Sequence, residues 1–108
     1  MKDDKVTLYQ ILRFIERIEE YTKNMRFDEF LEDYKSQDAV IRNIEIIGEA
    51  SNRLSSNFIL KHPSFPLNET RSMRNKLIHG YDDVDLSIVW VTATTDIQTL
   101  KLEILKII

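Results

Sequence analysis

Residues 71–85 read RSMRNKLIHGYDDVD, and they gather most of the side chains in this sequence that could do chemistry. Arg71, Arg74 and Lys76 fall within six residues, and no acid interrupts residues 71–81. His79, Gly80 and Tyr81 follow, then Asp82, Asp83 and Asp85. An arginine keeps its charge and forks onto phosphate oxygens. An unperturbed imidazole titrates near pH ~6.5, so it can take or give a proton near neutrality. Together they suit cleavage of RNA by its own 2′-hydroxyl. A base removes that proton, a cation stabilises the crowded phosphorus, and an acid protonates the leaving oxygen. That scheme needs two acid–base groups and this stretch holds one histidine, so a symmetric dimer is expected to bring a second His79.

A helix over this stretch sets the geometry. At about 100° per residue, Met73 and Leu77 share the core side, while Arg74 and His79 lie about 140° apart. Asn75 and His79 are i,i+4 neighbours, so the amide can orient the imidazole. Ile78 is an apolar residue amid arginine, asparagine and histidine, which implies that this outward face is covered by a second chain. Tyr81, just past the helix-breaking Gly80, can stack on a base or bond a phosphate. Each residue also has a plainer role. Arg71, Arg74 and Lys76 can form a solvated face. His79 can simply complement the helix dipole, and Tyr81 can be a core aromatic with a wet hydroxyl. Asp82, Asp83 and Asp85 could hold Mg²⁺, but a turn followed by a helix cap is the preferred account. His62, in the proline loop, is expected to be exposed and idle. No metal site, cofactor or glycine-rich phosphate loop is expected.

The 108 residues suit one domain spanning 1–108. Two glycines and two prolines give little of the punctuation that sheets need, so the expected fold is all-α, an up-down bundle of about five helices. Those helices are placed at residues 4–24, 27–34, 37–61, 69–79 and 86–107. The first buries Leu8, Ile11, Ile15 and Ile18. The second turns Phe27, Phe30, Leu31 and Tyr34 inward. The third is capped by Ser36 or Asp38 and buries Val40, Ile44, Ile47, Leu54 and Phe58. KHPSFPLN is the clearest loop, and Asn68 is expected to cap the fourth helix. Asp85 caps the last, which repeats Leu86, Val89, Ala93, Ile97, Leu100, Ile104 and Ile107. A second apolar set, Leu102, Leu105 and Ile108, is either a frayed apolar tail or, as the preferred account, a face covered by another subunit.

The net charge of −3 gives no global attraction for nucleic acid, so phosphate binding must be local. The absence of cysteine and the polar start MKDDKVTL fit a cytoplasmic protein, and no apolar run approaches a membrane span.

Arg74, four residues, His79, one residue and Tyr81 read R-x-x-x-x-H-x-Y. With RNKLIHGYDDVDLSIVW around that motif and VIRNIEIIGEASNRL (Val40 to Leu54) before it, the sequence resembles the HepT toxins of the HEPN superfamily along essentially its full length. The resemblance implies a homodimeric, metal-independent endoribonuclease, the toxin of a type VII-like toxin–antitoxin system. Arg74 and His79 would be catalytic at a cleft between subunits, with Asn75 supporting; Arg71 and Lys76, read from the local basic patch, would bind RNA. The implied partner is an MntA-type nucleotidyltransferase antitoxin that transfers AMP to Tyr81, with higher oligomers in complex with it. Two alternatives differ in class. One is a non-catalytic helical partner of a nucleotidyltransferase. The other is a dimeric scaffold in which the cations pair with carboxylates such as Glu16, Glu19 and Glu20.

Overall fold

The computed structural model of the protein describes residues 3–77 and 84–108. Helix α1 spans Asp4–Thr22, and the Asp3 carboxylate accepts from the Lys5 amide at its start. Leu8, Ile11, Ile15 and Ile18 are buried on one stripe, as the spacing predicts. The helix stops two residues short of the expected end: Lys23 leaves the helical region, with ψ of 126°, and Asn24 then turns left-handed, with φ of 58°. Asparagine tolerates that conformation better than most residues.

Helix α2, Phe27–Leu31, corrects the expected inward set. Phe30 alone is fully buried; Phe27, Leu31 and Tyr34 lie at the surface, Tyr34 with 75% of its area exposed. Five residues make little more than one turn, which can direct only one large side chain to the core. Trp90 covers the pair instead, with its ring 5.1 Å from Phe30 and 6.0 Å from Phe27. The buried Gln37 amide donates to the Phe30 and Leu31 carbonyls, satisfying the end of α2.

The expected 37–61 helix is two helices. Helix α3 runs Tyr34–Ser51 and α4 runs Ser56–Lys61. The cap of α3 is Asp33, not Ser36 or Asp38. Its carboxylate takes the Ser36 amide at 3.0 Å and the Ser36 hydroxyl at 2.8 Å. Hydrogen bonding from the Ser36 backbone, then from its hydroxyl, holds the Asp33 carboxyl below its ordinary value of 3.8. The break before α4 follows from Ser55. Its amide and hydroxyl both donate to the Asp4 carboxylate, at 2.8 and 2.6 Å, while its hydroxyl oxygen accepts from the Phe58 amide. Bonds of this kind give the backbone a non-helical alternative. The core residues expected of the longer helix, Val40, Ile44, Ile47, Leu54 and Phe58, are buried all the same.

Helix α5 spans Leu67–Leu77. It starts before Asn68, so Asn68 lies in its first turn and does not cap it. The Pro66 carbonyl takes the Thr70 amide at 3.0 Å and the Thr70 hydroxyl at 2.6 Å, which starts the helix two residues earlier. The expected continuation to residue 79 lies outside the described residues. Asp85 caps α6, Leu86–Val91, through the Ser87 and Ile88 amides, as read from the sequence. The last helix is not uniform: a π turn, Thr92–Asp96, joins α6 to α7, Ile97–Ile107. The Ile97 amide reaches the Thr92 carbonyl, five residues back. Val89, Ala93 and Ile97 are spaced by fours, and the wider turn keeps all three on the buried side.

The buried side chains form one cluster from Leu8 to Ile104. Helix α3 packs between α1 and α5, and α7 returns against α1. Gly48 is buried in α3, and a Cβ there would meet the Thr70 and Arg71 carbonyls of α5 at 3.4 and 3.7 Å. Those are ordinary contact distances for a methyl, so alanine would fit, but a side chain larger than alanine would push α5 away; a small residue here keeps the two helices close.

Candidate phosphate-binding cleft between α3 and α5

Met73 and Leu77, with Thr70, anchor α5 to the core. The rest of the helix surface carries Arg71, Arg74, Asn75 and Lys76, all exposed. Packing across Gly48 sets Arg74 beside Glu45 of α3. The Arg74 Nε–H donates to Glu45 Oε2 at 3.2 Å, and Arg42 Nη1 lies 3.6 Å from Glu45 Oε1. Each oxygen of one carboxylate thus holds a different guanidinium. Arg42, Glu45, Glu49 and Arg74 line an open cleft of about 440 Å³. Among the described residues, the two Nη groups of Arg74 have no partner, and its side chain is 53% exposed. They form the edge with which arginine grips an oxyanion.

The cations expected to act together are divided. Lys76 lines a smaller cavity of about 170 Å³ between α5 and α7, with Glu69, Asp96 and Leu100. Arg71 and Asn75 lie on the exposed side of α5, and neither side chain makes a hydrogen bond or ion pair among the described residues. His79 and Tyr81, together with Ile78, Asp82 and Asp83, lie outside the described residues. Asp85 serves as the cap described above. His62 departs from expectation: it is half-buried, its ring centroid 4.7 Å from that of Phe58. Of the acids expected to reach across a dimer, Glu19 instead pairs within the chain, accepting from Lys101 Nζ at 2.9 Å. The second apolar set of the last helix is largely uncovered in the single chain, with Leu102 62% and Leu105 48% exposed. Among the described residues no group of three or more His, Asp or Glu could hold a metal ion, and no helix is long and apolar enough to cross a membrane.

Glu45 and Arg42 were not singled out from the sequence. Both lie within VIRNIEIIGEASNRL, but nothing in that segment tells that Glu45 meets an arginine 29 positions later.

Fold and cleft together define an all-helical protein with paired arginines on an open polar surface. The chain belongs to the HepT-like ribonuclease family, whose profile matches residues 11–107. The "Probable ribonuclease HepT" of Thermococcus cleftensis is 46% identical over 100 residues, covering 93% of this chain and 91% of that protein. A Methanocaldococcus jannaschii protein named as an RNase is 41% identical over 107 residues, covering 99% of this chain and 88% of its own. Another, from Caldanaerobacter subterraneus, is 36% identical over 108 residues, covering 100% of this chain and 96% of its own. No solved structure gives a significant match.

Proposed function

We propose that the protein is a toxin ribonuclease of the HEPN type, a metal-independent endonuclease that uses Arg74 and His79. The observation that carries this reading is the open Nη edge of Arg74, fixed at a cleft on the helix whose motif continues to His79 and Tyr81. Family membership over nearly the whole chain and the names of its relatives support it. In the reaction, the 2′-oxygen of RNA attacks the adjacent phosphorus and the bond to the 5′-oxygen breaks. A 2′,3′-cyclic phosphate and a 5′-hydroxyl result. His79 of one protomer takes the 2′-proton, His79 of the other supplies a proton to the leaving oxygen, and Arg74 stabilises the charge that builds on phosphorus. Asn75 orients His79, and Arg71 and Lys76 hold flanking phosphates. This scheme requires a homodimer in which both Arg74–His79 pairs face one crevice.

Control is assigned to a nucleotidyltransferase antitoxin of the MntA type. The Tyr81 oxygen attacks the α-phosphorus of ATP, pyrophosphate leaves, and the phenol proton passes to solvent. The AMP then places an anionic, bulky group at the crevice, which repels RNA and fills its site.

Purified protein is expected to cut single-stranded RNA in the presence of a chelator and to run as a dimer. His79→Ala should remain dimeric and stop cutting; equal cleavage by that variant overturns the assignment of His79. Co-expression with the nucleotidyltransferase should add AMP mass at Tyr81 and silence the wild type. If Tyr81→Phe is silenced equally, control acts elsewhere.

A non-catalytic partner of a nucleotidyltransferase is the second reading. The paired state of Arg74 favours it, because a guanidinium bonded to Glu45 can serve packing or docking rather than chemistry. Stable complex formation without RNA cleavage under any condition would establish it.

A further inference from the structure

Resting on the reading of Arg74 as the phosphate-gripping cation, we propose that Glu45 is a positioning residue for it, and that Arg42 is a second phosphate-binding cation of the same cleft. Two guanidiniums on one rim repel each other, and free arginine side chains sample many rotamers. Glu45 counters both effects. Its Oε2 accepts a hydrogen bond from Arg74 Nε at 3.2 Å and its Oε1 forms a looser ion pair with Arg42 Nη1 at 3.6 Å, so one carboxylate orients Arg74 and draws Arg42 to the same rim. Glu45 is itself anchored on the long helix α3, with its side chain only 28% exposed, whereas Arg42 and Arg74 are 67% and 53% exposed. The more buried partner thus holds the more exposed ones. The bond to Arg74 uses Nε, which leaves the outer Nη edge for a ligand. Arg42 lies one turn from Glu45 on α3, so the two cations come from different helices and flank a single opening.

Charge alone does not explain the arrangement. Arg42, Arg74, Glu45 and Glu49 sum to zero, so the cleft has little long-range pull on RNA. Its grip must come from short, directional bonds, which depend on where the guanidiniums are held. A carboxylate serving only as a brake on RNA binding would have no need to engage two arginines through separate oxygens.

The test compares Glu45→Ala, Glu45→Gln and Arg42→Ala with the wild type and Arg74→Ala. The readouts are single-turnover cleavage and the affinity for a non-cleavable 2′-deoxy oligonucleotide across salt concentrations. Glu45→Ala should lower the cleavage rate by about 10- to 100-fold, since small misplacements of a catalytic group cost that much. Its affinity for the oligonucleotide should hold or rise, because a negative charge has gone. Glu45→Gln keeps one acceptor oxygen and should recover part of the rate. Arg42→Ala should weaken oligonucleotide binding and reduce its salt slope by about one. An unchanged or faster rate in Glu45→Ala overturns the positioning role while leaving the ribonuclease reading intact, provided that Arg74→Ala is inactive. Undiminished cleavage by Arg74→Ala, or an inert wild type, overturns the ribonuclease reading and the positioning role together. The binding arm still decides Arg42, whose role is overturned if Arg42→Ala binds with wild-type affinity and slope.

Discussion

Among the described residues, two ion pairs join helices that are distant in the sequence, and they are built differently. Lys101 reaches Glu19 across the α1–α7 seam, with Nζ at 2.9 and 3.1 Å from the two oxygens and both side chains about 70% covered. One compact charge meets one carboxylate and uses both of its oxygens. The Arg74–Glu45 pair across α3 and α5 is more open, engages a single nitrogen of the guanidinium, and shares its carboxylate with Arg42. The first pair is closed upon itself. The second keeps unused donors facing a cleft. An ion pair between helices therefore does not mark a scaffold by itself; what matters is whether the cation has bonding capacity left over.

The largest effect separates the two pairs by activity. Arg74→Ala should reduce RNA cleavage by about 10²–10³-fold, the usual cost of removing one donor to a developing charge. Arg74→Lys should recover little, because an ammonium lacks the planar fork. Lys101→Ala should cut RNA at the wild-type rate. Equal loss of cleavage in both variants would mean that each acts only through the fold, and the distinction would fail.

Next in size is a change that disturbs one pair through packing. Gly48→Leu places a side chain against the Thr70 and Arg71 carbonyls, already 3.4 and 3.7 Å from an added Cβ. Overpacking of this kind costs about 1–3 kcal/mol. In a domain of this size each kcal/mol lowers Tm by about 4–8 °C. Cleavage should fall further than the loss of folded protein explains, because α5 carries Arg74 away from Glu45. Thermal melts and cleavage on the same samples, corrected for the folded fraction, check this.

How these elements could be read beforehand follows the range of the interactions that set them. Leu8 to Ile18 in α1, Met73 and Leu77 in α5, and Val89 to Ile104 at the end of the chain are fixed by local periodicity, and all are buried. The Asp85 cap was legible for the same reason. The break between α3 and α4 had a local signal in LSSN, since serine and asparagine compete for backbone bonds. Continuous apolar spacing outweighed it, and the deciding partner, Asp4, lies 51 positions away. The π turn had no distinct signal, because the fours separating Val89, Ala93 and Ile97 also occur in a regular helix, as between Ile11 and Ile15. At the cleft, Arg74 alone was singled out, by its type and its spacing to His79. Glu45 could not be, because a salt bridge between helices depends on the crossing that Gly48 permits.

The remaining predictions concern stability and are smaller. Ser55→Ala removes both a helix cap and the hydroxyl bond to Asp4, and should cost about 1–2 kcal/mol in denaturant melts, with cleavage unchanged at full folding. Lys101→Ala should cost about 1 kcal/mol or less, since exchange of partly solvated charges gives little net gain. A cost several times larger would show the seam pair to be a buried structural bridge, which would sharpen the contrast with Arg74.

The smallest effect is confined to acid. Asp33 caps α3, and bonds from Ser36 favour its ionised form, so its pKa in the folded protein lies below the ordinary 3.8. A depressed carboxyl binds its proton more weakly when folded than when unfolded. Its contribution is therefore fully present above the unfolded value and is lost as pH falls through the folded one. Asp33→Asn keeps an acceptor oxygen for the Ser36 amide without titrating. The difference in melting temperature between wild type and Asp33→Asn should be constant from pH 7 to about 5 and narrow below about pH 4, where the wild type loses its charge. Because α3 carries both Glu45 and Gly48, this cap lies upstream of the open pair and not of the seam. Acid loosening should therefore reach the α3 amides near Ser36 before it reaches those around Lys101, an order that hydrogen exchange across the same pH range can read. Simultaneous loss at both places would show that the two regions open as one unit.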